Sequence, residues 1–147
     1  MERKRRGKIA GKENGEAVGK LKSMDYCFAC GKDNPHGLRL SIHYKEGKVV
    51  SHFQPSLHHQ GWEGIIHGGL LATLLDEVMV YAAYFEGEKT VTAELVVRFR
   101  KPVNIGERLR IVGWIEKRFS RLFICRSQVM DAEGRIVAEG RGKLLRI

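Results

Sequence analysis

Gln60-Gly61-Trp62-Glu63-Gly64-Ile65-Ile66-His67-Gly68-Gly69 runs directly into Leu70-Leu71-Ala72-Thr73-Leu74-Leu75-Asp76-Glu77, and the reading of the fold turns on this passage. A His-Gly-Gly turn stands at the head of a long apolar segment that carries a carboxylate two turns further in. Two glycines let the backbone pass close to a ligand and leave amide N–H groups free to point at it. A helix starting there adds roughly half a positive charge at the same point, which suits a polarised carbonyl or a developing oxyanion. An Asp among leucines is costly to bury unless it has partners or a task. The combination points to a chemical site rather than to packing alone.

Working outward, residues 68–85 read as one helix, apolar on nearly every face through Leu70, Leu71, Leu74, Leu75, Val78, Met79, Ala82 and Ala83. Such a helix has to be covered by its own domain or by a partner. Gly87 is placed to end it. Upstream, residues 27–35 are rich in turn formers, and the alternation Leu38, Leu40, Ile42 predicts a strand. Glu46-Gly47 predicts a turn into a hairpin partner over residues 48–53, and residues 55–64 read as loop, with His58, His59, Gln60 and Trp62 in it. Downstream, Val91, Ala93, Leu95, Val97 and Phe99 alternate with Thr92, Glu94, Val96, Arg98 and Arg100, predicting two sets on opposite faces of one strand. Pro102 to Gly106 and Asp131 to Gly134 break the chain, with strands expected over residues 108–117, 122–130 and 136–145. One long helix with five or six antiparallel strands is an α+β layout.

The 147 residues, 43% of them apolar, fit one globular domain over residues 25–147, preceded by an arm over residues 1–24. The arm holds eight Lys/Arg against three Glu, +5 of the net +9, and leaves +4 on the rest. It is expected to be a solvated, disordered tail rather than a nucleic-acid contact. A basic remainder suits an anionic, phosphate-bearing substrate. With no apolar run of ~20 residues and no secretory h-region, the expectation is a cytoplasmic protein that does not span a membrane. Cys27, Cys30 and Cys125 are an odd count and make no disulfide framework. Cys27-Phe28-Ala29-Cys30 has metal-ligand spacing, but a structural zinc site takes about four ligands, which His36 and His43 would have to complete. Reduced cysteines in a tight turn, with no metal, are the expectation.

His67-Gly68-Gly69, Leu75-Asp76-Glu77, Val91-Thr92-Ala93-Glu94-Leu95, Arg100-Lys101-Pro102-Val103 and Gly106-Glu107 together resemble the hotdog-fold acyl-CoA thioesterases of the phenylacetate-pathway type. Cys27-Phe28-Ala29-Cys30-Gly31 and Asn34-Pro35-His36-Gly37-Leu38 look like a subgroup of them, and the resemblance spans roughly residues 26–145. It implies a long central helix wrapped by a curved antiparallel sheet, with protomers joined edge to edge into a homodimer, usually paired again into a homotetramer. It also implies hydrolysis of a CoA thioester at the dimer interface with no metal or organic cofactor. On the resemblance, Gly68 offers its N–H to the thioester carbonyl, Asp76 is nucleophile or general base, and Thr92 supplies a hydroxyl from the neighbouring protomer. Related enzymes often carry an Asn six residues before the His; that position here is Gly61, with Gln60 one residue earlier as the substitute.

Read from the residues alone, Asp76 shares a helix face with Thr73, and burial should raise its pKa to the benefit of a base. Glu77 is expected to form a salt bridge or face solvent. His67 either bonds the substrate or pins the Gly68-Gly69 turn, and Gln60 is either a water ligand or a loop brace. Gly69, Arg98, Arg100 and Lys101 are candidates for binding substrate, the three cations by charge-assisted bonds to CoA phosphates. An outer sheet face explains those cations equally well. Trp62, Met79, Tyr81, Phe85 and Phe99 suit an acyl pocket or a core. Two other functions use the same features: a hotdog protein that binds acyl-CoA without cleaving it, and a β-hydroxyacyl dehydratase working through His67 and Asp76.

Overall fold

The computed structural model describes residues 24–147; residues 1–23, which hold the basic arm and the disorder expected of it, lie outside the described residues. Met24, assigned above to the arm, packs against the core. The elements are β1 (His43–Lys45), β2 (Lys48–Phe53), a single 3-10 turn at Leu57–His59, α1 (Gly68–Phe85), β3 (Thr90–Phe99), β4 (Leu109–Arg118), β5 (Leu122–Met130) and β6 (Ile136–Arg146). The strands form one antiparallel six-stranded sheet in the order β1-β2-β4-β5-β6-β3. α1 lies against it, touching β2 through β6. This is the α+β hotdog layout that the sequence implies.

α1 spans the predicted residues because both ends carry caps. His67 holds extended backbone at the N-cap, and at the other end Gly87 takes φ +89° while its N–H bonds the Tyr84 carbonyl at 2.9 Å. By length and composition α1 would cross a membrane, but here it is a core helix. Leu74, Leu75, Val78, Met79, Ala83 and Phe85 are fully enclosed. The sheet comes close enough that side chains are excluded beneath the helix. A Cβ at Gly113 would lie 2.8 Å from the Val78 carbonyl oxygen, and one at Gly140 would lie 3.2 Å from Leu75 Cβ.

Two expectations need correction. Residues 38–42 form no strand: Arg39 takes φ +52°, which breaks the alternation. Leu38 and Leu40 instead donate to the carbonyls of Phe28 and Ala29 at 2.8 and 2.9 Å, binding this stretch to the cysteine turn. The strict alternation along β3 also fails. Thr92 pairs with Leu144 and Glu94 with Lys143, so Ala93 is the extra residue of a β-bulge. The bulge turns Thr92 to the same side as Leu95 and Val97, towards α1, where unbroken alternation would send it outward.

β3 is an edge strand with ten residues and no partner beyond it among the described residues. Val91, Val96 and Phe99 on it are about half exposed.

Candidate active site

At the head of α1 the four orphan N–H groups of a helix are almost all accounted for. The His67 side chain accepts from Gly69 N–H through Nδ1 at 2.8 Å, and the His67 carbonyl accepts from Leu70 at 2.9 Å and Leu71 at 3.4 Å. Gly68 N–H has no acceptor among the described residues. The cap uses the His67 side chain to pin the turn and occupies the Gly69 N–H within the chain. With Nδ1 accepting, the neutral ring carries its proton on Nε2. Thr73, on the face of Asp76, bonds back to the Gly69 carbonyl at 3.0 Å.

The loop ahead of α1 is closed by Gly61 N–H to Ile65 O and His67 N–H to His59 O, both at 2.9 Å. Gln60 Oε1 accepts from Gly64 N–H at 2.9 Å, so Gln60 braces the loop, while its Nε2 has no partner among the described residues. Gly61, where relatives were expected to carry Asn, has little room for a side chain: a Cβ there would meet His67 Cα at 3.3 Å. A pocket of about 430 Å³ opens beside the helix head, lined by Gly61, Trp62, Ile66, His67 and Gly68. Trp62 is 85% exposed on its rim, and Phe99 places its ring 3.5 Å from where a Cβ of Gly68 would stand. Of the aromatic and Met candidates for an acyl pocket, Tyr81, Phe85 and Met79 are core instead.

Two turns along α1, Thr92 donates its hydroxyl proton to Asp76 Oδ1 at 2.6 Å. Burial raises the Asp76 pKa, and the Thr92 bond offsets part of that. The resemblance implied a hydroxyl from the neighbouring protomer; here it comes from the same chain, because the bulge at Ala93 aims Thr92 at the helix. Gly68 and Asp76 of one chain are eight residues apart, ~12 Å along a helix axis.

The cations do not gather into one site. Arg100 is paired with Glu139, and Lys101 bonds the enclosed Asp131 at 3.3 Å, so both are tied within the chain. Arg98 has no partner among the described residues. His58 is exposed, and His59 Nδ1 accepts from Ser56 N–H at 2.9 Å, a brace of the 3-10 turn.

Glu77 departs most from expectation. It pairs with no cation among the described residues, and it is half-buried rather than turned fully to solvent. Burial pushes its pKa up to about 7, and Cys27 Sγ donates to its Oε2 at 3.7 Å. Cys27, Cys30 and Glu77 place their sulfur and oxygen atoms within 4.8 Å of one another. No local pattern reveals this, since the cysteines and Glu77 lie some fifty positions apart.

Comparison with known proteins agrees with this fold. The family model of the thioesterase superfamily matches residues 63–138, just over half of the chain, and the chain belongs to that family. It is 38% identical to the acyl-coenzyme A thioesterase THEM5 of Mus musculus over 65 residues, 44% of this chain and 26% of the relative. It is 29% identical to the acyl-coenzyme A thioesterase 13 of Homo sapiens over 98 residues, 65% of this chain and 70% of the relative. The chain spans only 24% to 38% of the length of THEM5 and THEM4, two of the curated relatives it matches. Among solved structures, the PaaI protein of the E. coli phenylacetic acid degradation operon superposes with TM-score 0.70 at 23% identity, covering 75% of this chain and 80% of that one. A hypothetical thioesterase protein from Streptococcus pneumoniae TIGR4, solved with coenzyme A, superposes with TM-score 0.69 at 21% identity, covering 73% and 87%. Two variants of that streptococcal protein carry Ala for one Asp and for one Thr, sixteen positions apart.

Proposed function

We propose that this chain hydrolyses acyl-CoA thioesters, with Asp76 as general base and Gly68 N–H as the donor that holds the thioester carbonyl. The observation that carries the reading is the half-buried Asp76 carboxylate fixed by the Thr92 hydroxyl at 2.6 Å. Oδ1 is taken by Thr92, which leaves Oδ2 to accept a proton from water. The water attacks the carbonyl carbon, negative charge grows on the oxygen facing Gly68 N–H and the helix head, and CoA leaves as thiolate. The free Nε2 of Gln60 is proposed to donate to the same oxygen. The Asp and Thr replaced in the streptococcal variants have the spacing of Asp76 and Thr92, which supports the pair as the working unit. Arg98, the uncommitted cation on β3, is proposed to meet CoA phosphates.

The site needs two chains. A carbonyl at Gly68 and an Asp76 ~12 Å further down the same helix exceed the ~3 Å of general-base contact. Thr92 marks the Asp76 end of β3 and Phe99 the Gly68 end. Pairing two β3 edges antiparallel about a two-fold axis between Leu95 and Val96 sets Thr92 of one chain opposite Phe99 of the other. Each Gly68 then approaches the partner's Asp76. The long, apolar, unpaired β3 edge supports such a homodimer. The dehydratase reading loses support because His67 Nδ1 is committed to its cap.

Thiol release from a panel of acyl-CoAs tests the proposal. Turnover by the native chain, lost by on the order of 10²-fold or more in Asp76→Asn with assembly intact, is the expected result. Tight binding without thiol release would identify a non-hydrolytic acyl-CoA binder instead.

A further inference from the structure

The hydrolysis proposed above makes no use of Cys27, Cys30 or Glu77, yet the fold brings all three together at the joint between the turn-rich segment of residues 24–42 and α1. We propose that Cys27, Cys30 and Glu77 bind one Zn²⁺, which clips that segment onto the central helix.

The geometry fits. Zn–S bonds of about 2.3 Å and Zn–O bonds of about 2.1 Å at a tetrahedral angle separate the two ligand atoms by ~3.6 Å. Cys27 Sγ and Glu77 Oε2 are 3.7 Å apart. The backbone N–H groups of Ala29 and Cys30 are directed at Cys27 Sγ, an arrangement that stabilises a thiolate. Gly31 is required for the turn, since a Cβ there would fall 2.6 Å from the Cys27 carbonyl oxygen. Tyr81 Oη, 3.2 Å from Cys30 Sγ, is placed to complete the coordination, directly or through a water.

The donor set selects the ion. Two thiolates with one carboxylate suit Zn²⁺ rather than a hard cation. Binding releases to solvent the protons shared among Cys27, Cys30 and Glu77, so the ion enters without a change in oxidation state. His36 and His43, the ligands that sequence spacing suggested, are exposed and stand outside the cluster. The third ligand comes from the helix. A clip there has a structural use, because residues 24–42 carry no strand and are held by core packing and loop hydrogen bonds rather than by sheet pairing.

Metal analysis of the full chain, purified under reductant and without chelator, should give one zinc per chain. Co²⁺ added to the reduced apoprotein should produce thiolate-to-cobalt charge transfer and the visible bands of a tetrahedral site. Cys27→Ala and Cys30→Ala should abolish both signals, and Glu77→Gln should weaken Co²⁺ binding on the order of 10-fold or more. Chelation should lower Tm in the native chain and leave Cys27→Ala unchanged. Substoichiometric metal with no cobalt spectrum in the reduced native chain overturns the site, as does a Cys27–Cys30 disulfide in protein isolated under reductant. Unchanged affinity in Glu77→Gln overturns the three-ligand set. None of these readings uses enzymatic activity, so their failure is distinct from failure of the thioesterase proposal.

Discussion

Burial raises the pKa of Asp76 and the Thr92 hydroxyl draws it partway back. For a base, activity is present above the folded-state pKa and fades as pH falls through it. Removing the hydroxyl removes the lowering contribution, so the acid limb of kcat/KM in Thr92→Val should lie at higher pH than in the native chain. Superimposable limbs in the two proteins would separate Thr92 from the titration. The raised pKa also means that the folded state binds the proton more tightly than the unfolded chain does. Stability then falls as pH rises through the folded-state pKa, and the charged form opposes folding at neutral pH. Asp76→Asn keeps the Thr92 bond without the charge and should raise Tm while it lowers kcat, the trade expected of a functional group. A lower Tm would make Asp76 a structural carboxylate. The sequence reveals Asp76 because an acid stands among leucines. It misplaces Glu77 because the partners of Glu77 are some fifty positions away and no short-range pattern encodes them.

α1 was legible in full because its signals are local: apolar residues on successive turns, His67-Gly68 before and Gly87 after. Replacing the cap in His67→Ala should cost about 1 kcal/mol, read as a lower denaturation midpoint. The facing of β3 was not legible, since one inserted residue at Ala93 exchanges inside for outside and alternation alone gives no sign of it. The same bulge aims Thr92 at Asp76, so the misread element is the one that carries the partner of the proposed base. The sheet beneath α1 also depends on close approach. In Gly113→Ala the new Cβ meets Val78 backbone atoms 2.8 Å away, a contact that shortening the Val78 side chain does not relieve. Gly113→Ala should destabilise by about 1–3 kcal/mol in equilibrium unfolding, and adding Val78→Ala should not restore it. Full recovery in the double variant would place the clash in the side chain alone.

At the scale of the whole molecule, the proposed mechanism divides one chain into two half-sites, ~12 Å apart along α1 and out of each other's reach. The carbonyl donor stands at the head of α1 and the base two turns down, and the open β3 edge offers the way to join them across two copies. The resemblance implies a shared site with Thr92 from the neighbouring protomer, whereas the own-chain bond at 2.6 Å joins Thr92 to Asp76 within one chain, and the proposed division counts the two as one unit. Gly68→Pro isolates the other unit. Pro is tolerated at the first helical position, His67 already holds the ψ of 130° that a following Pro prefers, and the substitution deletes the N–H while adding a ring whose Cβ stands 3.5 Å from Phe99, ordinary van der Waals contact. The most direct test co-refolds equal amounts of Gly68→Pro and Asp76→Ala, each inactive by itself. Random pairing makes half the dimers mixed, each with one intact site of two, so about a quarter of native thioesterase activity should return. Asp76→Ala with Thr92→Val, both defects in one half-site, should show no activity beyond what Thr92→Val supplies by itself. No recovery from the first mixture, or recovery from the second, would contradict a site built from Gly68 of one protomer and the Asp76–Thr92 pair of its partner.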